Sequence, residues 1–547
     1  MRAPLGGEGA EFSHPGADIG SDLHGYGGAA YATDGNLVWY VDRAHGNLWL
    51  LEEGRARIVM QRRADENLGD LTAAGGRLLC IRERADRNDL VEVFPDGTSK
   101  SILTSDSFLG SPRERGTQLV WLNWDADQMP WDGSKLNTGT LNDGALIDAT
   151  TISGSRYESV TQPSWGPDGR LWFISDKSGW WNLYRWNGVS KASTPMAPMP
   201  ADLAPPEWEA GYHGYAVRAD NSIALITHGG LQQRLRIMRG NSLEVVSTNF
   251  TSFKPYLVSH GRSLFAVAGS PTQTPQVAKI DPDNPQASAP RTHASLDIST
   301  ISTPEPLEFH GFSGGTMYAL FYPPTVEPTG NPPPLIVRVH PGPTSAMTSR
   351  LDWSLQYFTG HGFAVVDVDY RGSSGYGRDF RRSLYGRWGT ADVEDCSAVA
   401  EYLIEVNRAH RRKIFITGAS AGGYTALQAI SQPSVFAGAV ARSAIIDPQR
   451  WRHTAPRWQQ PHAAALAGPA GTVRAQRIRK PVLLIHGTDD HVAPLEDVEA
   501  LSRGMSARGL PSQLIVLDAR HELSAQHALA SALEAELNFY RRLLADG

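Results

Sequence analysis

Turn residues recur at a near-constant interval through the first half of this chain. Gly35, Gly75, Gly116, Asp168, Asp220 and Gly261 are separated by 40, 41, 52, 52 and 41 positions. Each is followed by a short β run: Asn36–Val41, Arg77–Ile81, Gln118–Leu122, Arg170–Ser175, Ser222–Ile226 and Ser263–Val267. Most are followed by a second β run about ten residues later. A repeat of this length holding several strands cannot bury its apolar face alone and must stack on its neighbours, which is the signature of β-propeller blades. The sharpest copy is Pro163-Ser164-Trp165-Gly166-Pro167-Asp168-Gly169-Arg170-Leu171-Trp172. An all-β sandwich is the rival fold for this region.

The chain is too long for one core. A single hydrophobic core stops growing near about 250–300 residues, and this sequence has 547. Residues 282–306, rich in Pro, Ser, Thr and Asp, read as a connection. Beyond it the period changes, and apolar strands alternate with helical segments as in a mostly parallel sheet. Strands are expected at Leu335–His340, Phe363–Asp369, Lys413–Thr417, Val482–His486 and Gln513–Leu517. Val393, Cys396, Ala400 and Leu403 recur at helical spacing, and a final helix is expected over Ser524–Leu544. The expected division is a β-propeller over 1–301 and an α/β domain over 302–547.

Composition excludes several functions. Hydrophobic residues make up 41% and charged residues 20%, which is globular rather than disordered. The net charge of −6 gives no electrostatic footprint for nucleic acid. Two cysteines, Cys80 and Cys396, make neither a disulfide framework nor a metal pair. The opening Met1–Gly7 lacks the apolar core of a secretory leader, and no run of about 18 apolar residues occurs. The expectation is a cytoplasmic protein without a membrane partner.

The chemistry is carried by Gly418-Ala419-Ser420-Ala421-Gly422-Gly423, which follows the strand Ile414–Thr417 and precedes helix formers Ala426, Leu427 and Gln428. Gly-x-Ser-x-Gly between a strand and a helix is a nucleophile elbow. The strained turn pushes the serine hydroxyl outward and aims the Ala421 N–H where a carbonyl oxygen would become an oxyanion. A serine needs a base to take its proton, and that base needs an orienting carboxylate. In chain order, Asp490 and His521 fit those slots at strand ends, with Asp489 and His527 as rivals. Gly342, in Pro341-Gly342-Pro343, is a candidate second oxyanion donor, because neither proline has an N–H. Tyr376, in Arg371–Gly377, is another, through its hydroxyl.

Together these motifs resemble the prolyl oligopeptidase family of serine peptidases, in its acylaminoacyl-peptidase-like branch. The resemblance covers most of 302–547: the Pro-Gly-Pro loop, Arg371–Gly377, Gly386–Gly389, Gly418–Gly423, His486–Pro494 and the His521 loop. It implies an α/β-hydrolase domain carrying the catalytic groups and an N-terminal propeller that gates substrate. It assigns the acid to Asp490, four residues after His486 and four before Pro494. The chain departs from the family at His340-Pro341-Gly342-Pro343, where His-Gly-Gly-Pro is usual, and at Arg520 and Glu522, where glycines usually flank the histidine. The segment from Asp447 to Lys480 is short and lacks the usual aromatic-rich pattern. The paired glutamates of the dipeptidyl branch are not recognisable. Six units are counted where family propellers commonly have seven, which leaves an incomplete seventh open.

The expected activity is hydrolysis of short peptides or N-acylated amino acids through an acyl-enzyme, with no metal or organic cofactor. The alternatives are an esterase or amidase acting on a small metabolite with the same three residues and, more remotely, a non-catalytic propeller scaffold. A homo-oligomer is left open.

Overall fold

A computed structural model describes residues 13–142, 144–284, 298–312, 314–328 and 330–545. The opening residues, on which the reading of no leader rests, and most of the 282–306 connection lie outside them.

Six antiparallel sheets succeed one another along the N-terminal region, at 31–60, 67–105, 108–155, 160–195, 215–245 and 252–280. The first five have four strands and the sixth has three. This is a six-bladed β-propeller region. The recurring turns seen in the sequence are the first hairpin of each sheet. Asp34 pairs with Leu37, Ala74 with Arg77, Arg115 with Gln118 and His260 with Ser263. Each of those pairs encloses a two-residue loop, and Gly35, Gly75, Gly116 and Gly261 take the positive φ that such loops demand. Burial differs between strands. Leu171–Ser175 is buried throughout, whereas the fourth strand of the first sheet, Arg55–Met60, is mostly exposed.

The C-terminal region is built on one eight-stranded sheet. Its strands are β1 (Glu305–His310), β2 (Thr316–Tyr322), β3 (Leu335–Val339), β4 (Ala364–Asp369), β5 (Ile414–Ala419), β6 (Gly438–Arg442), β7 (Val482–Gly487) and β8 (Ser512–Leu517). They lie in the order 1-2-4-3-5-6-7-8. β1–β2 and β2–β4 pair antiparallel, and the remaining pairs are parallel. This is the α/β-hydrolase arrangement. β1, β2 and β6 went unread in the sequence.

Alternate residues feed two apolar layers. Val337, Val366, Ile416 and Leu484 join Val393, Cys396 and Val399 of helix α3 (Ala391–Glu405). Ile336, Val365, Phe415 and Leu483 join Leu355 and Phe358 of helix α1 (Trp353–Thr359). Leu537 and Tyr540 of the last helix, Gln526–Ala545, belong to that same layer. Continuous apolar strands with both faces covered are what a parallel sheet requires.

Two compact units divide the chain. The first comprises the described residues up to Met199, with Pro206–Ile223 and Pro456–Pro461. The second comprises Pro200–Pro205, Ala224–Ala455 and the residues from His462 on. Pro456–Pro461 thus groups with the first unit, although the sequence period places it in the α/β half. The reason is aromatic packing within that unit, where Trp458 lies 5.7 Å from both Trp131 and Trp208 and 5.9 Å from Tyr26 between ring centroids.

Candidate active site

β5 runs straight into helix α4 (Ala421–Ala429) with Ser420 at the corner. Ser420 holds φ 53° and ψ −115°, a region that non-glycine residues occupy at a cost of about 1–3 kcal/mol. The surroundings enforce it: Ser420 N–H donates to Arg442 O at 2.9 Å, and Tyr424 N–H donates to Ser420 O at 3.2 Å. The flanking glycines are steric necessities. A Cβ on Gly418 would lie 2.3 Å from Gly422 O, and one on Gly422 would lie 2.4 Å from Val339 O and 2.8 Å from His340 O. The elbow therefore seats directly on the end of β3, where the His340–Pro343 loop begins.

Asp490 and His521 come from the loops after β7 and β8. Those loops run together, since Asp489 N–H donates to Ala519 O at 3.1 Å and a Cβ on Gly487 would strike the same carbonyl. His521 Nδ1 lies 2.9 Å from Asp490 Oδ1 and 2.8 Å from Oδ2. Asp490 Oδ1 also accepts from the N–H groups of Val492 and Ala493, and His486 Nε2 stands 3.2 Å from Oδ2. Burial alone would raise this carboxyl. The hydrogen bond and charge of His521 and the two backbone donors outweigh it and hold Asp490 below its ordinary range.

The rivals sit elsewhere. Asp489 is half exposed and pairs with His491 at 3.0 Å, and His527 is exposed near the start of the last helix. No hydrogen bond joins Ser420 Oγ to the His521 ring among the described residues, and contacts of this kind commonly tighten only with substrate bound.

Of the oxyanion candidates, Ala421 is buried at the first position of α4, and Gly342 sits at φ 52° in the loop beside the elbow. Tyr376 is a correction. Its hydroxyl donates to Asp369 Oδ2 at 2.6 Å, and its ring is buried against Tyr318 with centroids 4.3 Å apart. A phenol has one proton, and here it is committed to Asp369, so Tyr376 leaves the oxyanion set.

What Tyr376 does instead exposes a network that the sequence reading missed. Asp369, at the end of β4, accepts from Met347 N–H at 2.7 Å as well as from Tyr376. Burial lifts its carboxyl to about 7 despite both bonds. Tyr370 donates its hydroxyl to His340 O at 3.1 Å, His340 Nε2 lies 2.8 Å from Ser373 Oγ, and Ser374 N–H donates to Ser345 O at 2.7 Å. Burial pushes His340 down to about 4, so its ring is neutral near pH 7. The Asp369–Tyr376 segment thereby fixes the loop that carries Gly342. The available signal was two polar residues, His340 and Asp369, at the ends of largely apolar strands.

A cavity of about 380 Å³ adjoins the elbow, lined among others by His340, Pro341, Gly418, Ala419 and the Arg338–Asp352 pair. Among the described residues, no three His, Cys, Asp or Glu side chains are grouped to hold a metal, and no helix is long and apolar enough to cross a membrane.

With that geometry in hand, the similarities to known proteins are informative. The prolyl oligopeptidase family profile (Peptidase_S9) matches residues 349–547. The acylamino-acid-releasing enzymes of Arabidopsis thaliana (27% identical over 202 residues, 34% of this chain and 26% of the relative) and Sus scrofa (26% over 242 residues, 41% and 33%) are similar to part of this chain. The chain thus spans about a quarter to a third of the length of these curated relatives. Solved structures match far more of it. A puromycin-hydrolyzing peptidase of Mycobacterium tuberculosis superposes with TM-score 0.92 at 26% identity, covering 98% of this chain and 89% of that one. A puromycin hydrolase crystal structure superposes with TM-score 0.93 at 27% identity, covering 99% and 90%. Residues 349–547 thus carry a prolyl oligopeptidase family domain, and the two solved structures similar to nearly the whole chain are a puromycin-hydrolyzing peptidase and a puromycin hydrolase.

Proposed function

We propose that this chain is a serine peptidase that hydrolyses short peptides or N-acylated amino acids through an acyl-enzyme. The observation that carries the reading is the Asp490–His521 contact made at both carboxylate oxygens, in the same compact unit as the strained Ser420 elbow. Ser420 Oγ attacks the substrate carbonyl while His521 takes its proton. Asp490 keeps His521 oriented and balances the imidazolium, and Ala421 N–H with Gly342 N–H receives the oxyanion. His521 then protonates the leaving amine, and water releases the acyl group by the same route in reverse. Residues 302–547 supply this chemistry, and residues 1–301 restrict substrate length.

A second reading keeps the residues and changes the substrate to an aminoacyl amide of a small metabolite. It is favoured by the two puromycin-hydrolysing structures, which match nearly the whole chain. The proposed compartment is the cytoplasm, in keeping with two cysteines that both remain free and buried.

A fluorophosphonate probe should label the protein, and Ser420→Ala should abolish labelling. Labelling that survives this substitution overturns the assignment. Comparing kcat/KM on an acyl-amino-acid p-nitroanilide, a p-nitrophenyl ester and puromycin separates the two substrate readings. A peptide length series sharing one cleavage site tests the propeller's role. Rates should fall from five residues to fifty, and a flat series removes that role.

A further inference from the structure

Beneath Asp490 lies a histidine that the mechanism above does not use. His486 is the last residue but one of β7 and is fully buried. Its Nε2 lies 3.0 Å from Ala493 O and 3.2 Å from Asp490 Oδ2. Both neighbours are acceptors, so Nε2 must carry the ring proton. Nδ1 is buried and has no partner among the described residues, and a proton placed there would be a buried donor left unpaired. The ring is therefore neutral and held in one tautomer. Burial works in the same direction, lowering the basicity of His486 although the charge of Asp490 and the bond to Ala493 oppose it.

The bond to Ala493 O closes a small circuit around the acid. Asp490 Oδ1 accepts from Val492 N–H at 2.9 Å and from Ala493 N–H at 2.8 Å, so the carboxylate folds back over its own loop. Those two donors stay aimed only while Ala493 stays in place. Pro494 follows and biases Ala493 toward extended backbone, but it has no N–H of its own to help tie the loop down. His486 anchors the Ala493 carbonyl from inside β7. The same N–H edge faces Oδ2, the oxygen that lies 2.8 Å from His521 Nδ1. β7 pairs with β8, which leads into His521. The neighbouring Asp489 pairs instead with His491 at 3.0 Å and Arg520 at 3.7 Å.

We propose that His486 is a positioning residue: as a neutral Nε2–H donor it clamps Ala493, and through Ala493 it holds Asp490 in the orientation that His521 requires. The inference rests on the peptidase reading above. A packing role asks only for a ring of this size. A positioning role asks for a donor where Nε2–H stands, and substitution separates the two demands.

His486→Phe keeps a ring and removes the donor, whereas His486→Gln can place an amide N–H where Nε2–H was. On a p-nitrophenyl ester, His486→Phe should lower kcat by about tenfold to 10²-fold with KM within about threefold of native, because a misplaced acid is felt in the transition state. His486→Gln should keep kcat within about threefold of native. In an Asp490→Asn background the change to Phe should lower the residual rate by less than about twofold, since the orientation it controls is already lost. Equal losses in the Phe and Gln variants, native kcat in the Phe variant, or an undiminished loss over Asp490→Asn each overturn the proposal. Should His486→Phe fail to fold, His486→Asn, whose amide is one carbon short of Ala493 O, takes its place with the same expected outcomes. The tautomer is read apart from activity, by ¹⁵N NMR of the histidine-labelled native protein at pH 7. The signal that His486→Gln lacks should show a protonated Nε2 and a bare Nδ1. The reverse tautomer or a doubly protonated ring overturns the proposal, whereas a native protein without ester turnover overturns the peptidase reading.

Discussion

The six propeller sheets and the eight-stranded sheet are both β structure, but they spend their residues differently. In the propeller, burial varies from strand to strand, from Leu171–Ser175, buried throughout, to Arg55–Met60, half of it exposed, and the specification sits in the turns, where a glycine or Asp/Asn returns every 40–52 residues. In the hydrolase sheet β4 and β7 are buried at every position, and the specification sits at strand ends. There a single corner residue such as Ser420 or Asp490 is fixed by loops that touch. Changes in the two regions should therefore fail in different ways: concentrated and cooperative in one, dispersed and additive in the other.

The largest effect belongs to the strand ends. Ser420→Ala, Asp490→Asn and His521→Ala should each lower kcat/KM by about 10⁴-fold or more, and a double change should cost little beyond a single one, because the three act as a unit. Asp489→Asn should be nearly silent. Asp490 also ties acid stability to the site. Its folded carboxyl lies below its unfolded value, so its contribution is complete above the ordinary range of about 4 and fades as pH falls through the folded value. The Tm gap between the native protein and Asp490→Asn should accordingly narrow below about pH 4. A gap that widens in acid contradicts the bonding described.

The elbow glycines come next. Gly422→Ala would place a Cβ 2.4 Å from Val339 O and 2.8 Å from His340 O. Both are backbone atoms at the end of β3, and neither can yield without moving that strand end. The expected loss is more than about 3 kcal/mol, read as a lowered denaturation midpoint. Residual activity should fall further than residual fold, because β3 carries the Gly342 loop.

Tyr376→Phe is smaller and tests the correction. Removing the donor to Asp369 should cost about 1–3 kcal/mol. Because the carboxyl titrates near 7 in the folded protein, the loss should be greater at pH 8, where Asp369 is ionised, than at pH 5, where it is protonated. An equal loss at both values returns Tyr376 to plain packing against Tyr318 and Phe380.

How much of this was legible in the sequence follows the same contrast. The propeller repeat could be read because two-residue hairpins demand positive φ, and only a few residue types supply it cheaply. The elbow could be read because its glycines and serine are contiguous, and Asp490 and His521 because each follows an apolar run. What escaped needed three-dimensional pairing. β1, β2 and β6 lack a distinctive local pattern, and Tyr376 reads as a spare hydroxyl until Asp369 is seen beneath it.

The smallest effect, and the sharpest test of the contrast, concerns the repeating turns. Gly35, Gly116 and Gly261 hold φ of 58°, 60° and 58°, and a Cβ at each meets nothing within 4 Å. Substitution by Ala therefore carries only the left-handed backbone penalty, about 1 kcal/mol each and at most about 2. The three turns lie in different sheets and share no partners, so their costs should add within a few tenths of a kcal/mol. The triple variant should lose about 3 kcal/mol in chemical denaturation and keep its labelling by the fluorophosphonate probe, since none of the three turns touches the elbow. The elbow offers the opposite case. Gly418→Ala and Gly422→Ala strike the same turn, so the second change should cost much less than the first. Strict additivity at the elbow, or a triple turn variant that loses far more than its parts, would mean that the propeller sheets and the hydrolase sheet distribute their stability alike.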